Sequence, residues 1–129
     1  MTDKSIRLLA IIAALILLAG AAFHMTALPG LRAALTEMSP GFFRNGIPAM
    51  WTLPALHWVM IACLSVGLSR YNSQGCAAVL IAFGLWVLID MLIAAMHVGL
   101  FVGVYMLGAA GICLLIAGFK LRKTARAKD

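Results

Sequence analysis

Charged side chains are scarce in this sequence: they make up 11% of 129 residues, and the acidic ones are Asp3, Glu37, Asp90 and Asp129 alone. A water-soluble domain of this size needs far more charge to cover its surface. The scarcity therefore excludes an ordinary soluble enzyme or binding module, and the length leaves no room for a soluble catalytic module beside membrane spans. Motifs are missing too. None of the three cysteines belongs to a C-x-x-C pair, so a thiol redox or zinc motif has no support. There is no C-x-x-C-H for haem attachment, no H-x-x-x-H or E-x-x-H metal pattern on one helix, and no G-x-S-x-G nucleophile turn. Internal repeats and low-complexity segments are also missing. The net charge of +6 is no nucleic-acid footprint, because aromatic interleaving is lacking and half of the ten basic residues sit in one tail (Lys120, Arg122, Lys123, Arg126, Lys128). A short basic tail after an apolar run is the usual cytoplasmic anchor.

What the chain does contain is hydrocarbon: 64% of its residues are hydrophobic, the signature of a membrane protein. A helix crossing the bilayer core needs about 20 apolar residues. Ile6 to Leu28 supplies one span, too long for a signal peptide and without a convincing cleavage site. Pro48 to Ser69 supplies a second. Cys76 to Phe119 would form a helix roughly 65 Å long, twice what the bilayer needs, so it must fold back near His97-Val98-Gly99. That gives spans Cys76–Met96 and Leu100–Phe119. The expected fold is all-α, a single transmembrane domain of four helices over residues 1–129. Lys4, Arg7, Arg70 and the five tail residues fall on one side, Arg32 and Arg44 on the other. The positive-inside rule then puts both termini in the cytoplasm of a bacterial inner membrane. The outer connection, Pro29 to Ile47, carries Leu31, Ala34, Leu35 and Met38 at helical spacing, which predicts a short interfacial helix. "SPGFFRNG" after it reads as a turn.

Orientation allows depths to be compared. His24, His57, Asp90, His97 and Tyr105 all fall in the outer half of the membrane, whereas the inner half is apolar apart from Cys and Ser. No disulfide is expected of Cys63, Cys76 and Cys113 on the reducing side. Asp90 is costly in hydrocarbon and should face the bundle to find a partner. His97, seven residues on, and Trp86, four back, fall near its stripe. The stretch "WTLPALHW", Trp51 to Trp58, places Pro54 three residues before His57. If the span starts at Pro48, Pro54 frees the Met50 carbonyl and kinks the helix; if it starts near Pro54, the proline is a first-turn residue. The expected ligand-binding set is His24, Trp51, His57, Trp86, Asp90, His97 and Tyr105, with Glu37 and Arg44 as a lid. Each has a plain structural alternative: interface histidines bonded to water, or aromatic-belt residues.

Three uses of such a cluster stay open. One is binding of a small or lipophilic ligand, with the protein an accessory subunit; the cofactor is unspecified, and His24 with His97 is the pair for a metal or haem. Another is an enzyme in which Asp90 and His57 form an acid–base pair acting on a lipophilic substrate. The third is small-solute or proton-coupled transport. The partners this implies are the lipid bilayer, a small lipophilic ligand and a homo-oligomer or larger membrane assembly. A G-x-x-x-G pair, Gly99 and Gly103, suits close helix packing. In span number, length, short basic ends and the opening "RLLA…LLAGAAFH" from Arg7 to His24, the chain resembles the small four-helix bacterial membrane families, DoxX-like proteins among them. The resemblance implies the four-helix layout and no particular site residue.

Overall fold

The computed structural model describes residues 3–127; Lys128 of the basic tail lies outside them. Five helices follow in order: α1 (Lys4–Met25), α2 (Leu28–Ala34), α3 (Phe42–Leu68), α4 (Gln74–Val98) and α5 (Val102–Arg126). No strand occurs among the described residues. Four helices are long and apolar enough to cross a membrane, α1 being counted together with α2. The 22 residues of α1 alone reach about 33 Å, slightly more than the hydrocarbon core.

Local chemistry explains the helix ends. The Asp3 side chain accepts the Ser5 N–H at 2.9 Å, an N-cap. That bond holds its carboxyl below the usual carboxylate range. α1 stops at Met25, short of the expected Leu28, where the Thr26 hydroxyl donates to the Phe23 carbonyl at 2.6 Å. Pro29 is then tolerated in the first turn of α2, where its missing N–H has no helical partner to lose. α3 begins at Phe42, six residues before Pro48, so neither proline starts it. The expected turn around "SPGFFRNG" is thus irregular only as far as Gly41. Three features stabilise the extra turns: Gly41 is extended at the N-cap, Asn45 N–H reaches the Gly41 carbonyl, and Arg44 Nη1 donates to the Met38 carbonyl at 3.2 Å. The reversal between α4 and α5 turns on Gly99, whose φ of +92° suits a residue without Cβ.

The core is Leu, Ile, Val and Ala from four helices, with Leu17, Leu80, Leu114 and Leu121 fully buried. Ser65 and Ser69, the buried polar residues, donate to carbonyls of their own helix. Packing is uneven. α4 and α5 form the closest pair, α1 lies against both α5 and α3, and α3 barely meets α4. The helices are therefore linked in the order α3, α1, α5, α4. Glycines make the α4–α5 approach: a Cβ on Gly118 would lie 2.9 Å from the Ile81 backbone nitrogen, and one on Gly84 2.9 Å from that of Leu115. The G-x-x-x-G pair read from the sequence has no such role. Gly99 lies in the turn with nothing within 4 Å, and Gly103 faces the Phe101 ring. Lys120 Nζ donates to Ser5 Oγ and Thr124 Oγ1 to Asn72 Oδ1, both at 3.2 Å. These bonds put both ends of the chain and the α3–α4 connection at one end of the bundle. The α1–α2, α2–α3 and α4–α5 connections lie at the opposite end.

Candidate functional site

At that opposite end the four long helices line a partly open cavity of about 360 Å³. Its wall is mainly apolar: Phe23 and Ala27 at the end of α1, Pro54 on α3, Ile93 and Ala94 on α4, and Phe101 and Leu107 beyond the turn. His24, Trp51, Trp58 and Asp90 bring the polar atoms.

These four residues fall into two hydrogen-bonded units. In the first, α1 and α3 are joined reciprocally. His24 Nε2–H donates to the Trp51 carbonyl at 2.8 Å, and Trp51 Nε1–H donates to the His24 carbonyl at 3.2 Å. The two rings stack, with centroids 4.5 Å apart and planes 10° from parallel. Pro54 leaves the Met50 carbonyl without its usual helical donor, and His24 bonds the next carbonyl along, that of Trp51.

In the second unit, Asp90 on α4 receives two donors from α3. Trp58 Nε1–H donates to Asp90 Oδ2 at 2.8 Å. Since that oxygen is an acceptor, the His57 Nε2 found 2.7 Å away is assigned as a second N–H donor to it. The side chains of Asp90 and His57 are 20% and 28% exposed. Asp90 Oδ1 receives no hydrogen bond from the described residues, and no buried side-chain oxygen or nitrogen among them lacks a partner. Oδ1 is therefore open rather than entombed. The two units touch through the Trp58 and His24 rings, edge to face at 5.3 Å.

Of the residues the sequence singled out, His24, Trp51 and Asp90 line the cavity. His57 is bonded to Asp90 but stands outside the lining. Trp86, 59% exposed, lies on the outer surface with its ring edge toward His57. Tyr105 is 64% exposed, and His97 and Glu37 are exposed as well. Arg44 is held by the Met38 carbonyl. None of these last four lines the cavity, so the lid expected of Glu37 and Arg44 is not part of this wall. His97 shares the stripe of Asp90 but sits in the last turn of α4, two turns further along. Of the His24–His97 pair only His24 lines the cavity, and no group of three His, Cys, Asp or Glu gathers among the described residues.

Trp58 was missed. It is 8% exposed and bonds the only acid in the spans. A signal existed: Trp58 lies seven residues after Trp51, and i, i+7 positions share a helix face. Phe23 and Phe101 had no polar signature to single them out from other apolar residues.

Comparison of the chain with protein-family models, with curated proteins and with solved structures gives no match.

Proposed function

We propose that this chain is a multi-pass protein of a bacterial inner membrane and that its cavity binds a small lipophilic ligand from the periplasmic side. One observation carries the reading: an apolar cavity of about 360 Å³ whose few polar atoms converge from three helices. Ligand sites are commonly concave, mostly apolar, and fitted with a small number of placed polar groups; the volume lies toward the small end of their range. The distribution of Lys and Arg supports cytoplasmic termini, which turns the cavity outward. α2 then lies at the outer interface, as a short amphipathic segment would. The layout is in keeping with an accessory protein of the DoxX-like kind.

The geometry favours binding over the other two uses. An acid–base pair would need both groups at the ligand, yet His57 stands behind Asp90 and outside the lining. A transport path would need polar residues through to the far end, where Leu17, Leu80, Leu114 and Leu121 fill the core. Native mass spectrometry with an absorption spectrum, on gently extracted protein, tests the proposal. A retained small molecule that is lost when Ala94 is replaced by Trp is the expected result. Protein that carries no adduct and takes up none from a lipid extract would argue for a purely structural role.

A further inference from the structure

We infer that the cavity's ligand is a lipophilic ammonium: an apolar body with one protonated, N–H-bearing amine seated against Asp90 Oδ1. This rests on the ligand-binding reading above and supplies its chemistry. Three observations carry it.

The first is an acceptor without a donor. Trp58 and His57 both bond Oδ2, which leaves Oδ1 unclaimed among the described residues. Oδ1 is open to a donor brought by a ligand, and a charged donor forms the stronger bond to a carboxylate. The second is charge. Asp90 is the one carboxylate in the lining, and no Lys or Arg accompanies it. Its protein partners are a neutral indole and the imidazole of His57, which forms a salt bridge with it only if protonated. An anionic ligand would meet Asp90 as a like charge, and a wholly apolar one would cover Oδ1 without satisfying it. The third is the wall. Phe23, Trp51, Trp58 and Phe101 put aromatic rings in the same cavity wall as the acid, and aromatic rings can attract a cation and accept hydrocarbon. At about 360 Å³ the space suits an arylalkylamine or the head of an aminolipid rather than an entire lipid.

A matched series on the unmodified protein in a non-ionic maltoside tests this: phenylbutylamine, phenylbutanol and phenylbutyrate, which share a body and differ in the head. Binding is read by calorimetry and by the fluorescence of the wall tryptophans. The amine should bind at least about tenfold more tightly than the alcohol, the scale of one charge-assisted bond, and the carboxylate more weakly than either. Asp90→Asn should bring the amine down to the alcohol and leave the alcohol nearly unchanged. Ala94→Trp, which fills the cavity, should abolish binding of all three. Added phosphatidylethanolamine that displaces the amine would mark a lipid headgroup as the source of the ammonium; binding indifferent to it would mark a free amine. Equal affinity for amine and alcohol would overturn the ammonium assignment while leaving the cavity as a ligand site. No binding by any of the three would overturn both. An amine preference that survives Ala94→Trp would place the ammonium elsewhere and equally defeat the inference. Should Asp90→Asn fail to fold, the ratio on the unmodified protein and the Ala94→Trp result decide.

Discussion

Asp90 is held by donors because hydrocarbon offers none. An ionised carboxyl within a span costs a few kcal/mol on insertion scales, and two N–H groups on one oxygen offset part of that. Trp58→Phe keeps most of the ring but removes the N–H that reaches Oδ2. It should lower stability by about 1–3 kcal/mol, the scale of one hydrogen bond to a charged group. Thermal unfolding in detergent would show this as a lower midpoint. Trp86→Phe is the control: its ring lies on the outer surface, so a change within about 0.5 kcal/mol is expected. An equal loss in both variants would count against the bond as the cause. This part of the site was half legible. An acid in a span demands a partner on general grounds, and histidine is the obvious candidate. Trp58 was hidden because an indole in the middle of a span carries no signature of its own, and only packing distinguishes it from Trp86. Neighbours in space such as Phe23 and Phe101 are set by how α1 meets α5, which no single-chain periodicity encodes.

Helices α4 and α5 can approach closely because glycine backbones face them. Gly118→Val would thrust atoms toward the Ile81 nitrogen and the Ala77 carbonyl, 2.9 and 3.2 Å from the new Cβ. Backbone cannot step aside as a side chain can, so the helices must part. The expected result is a marked loss of stability or of monodisperse protein on size-exclusion chromatography. Gly67→Ala, with nothing within 4 Å of its Cβ, should be neutral or stabilising by up to about 1 kcal/mol through helix propensity. Comparable damage from both would show that close approach is not what Gly118 provides. The number of helices was legible because bilayer thickness turns apolar length into a count. Their ends were less so. α3 runs through Pro48 and Pro54 and starts six residues before Pro48, because local bonds from Asn45 and Arg44 hold its first turns. Glycine periodicity pointed to Gly99 and Gly103, whereas the packing glycines of α5 are Gly108, Gly111 and Gly118, a register decided by the facing side chains of α4.

The molecule as a whole has a direction, which labelling can check. In a chain with Cys63, Cys76 and Cys113 changed to Ala, a membrane-impermeant maleimide should label Arg32→Cys in intact cells. Arg122→Cys should react only after permeabilisation. The reverse pattern would place the termini outside and turn the cavity toward the cytoplasm. A last consequence follows from the packing order α3, α1, α5, α4 and the weak contact between its two ends. The ring of helices is closed least extensively at the α3–α4 seam. Across that seam runs a clasp of two hydrogen bonds, from His57 and Trp58, which share one oxygen of Asp90. Any motion that widens the seam toward the lipid must stretch both at the same atom. The gap between two helices is thus bridged through one oxygen of a single carboxyl group.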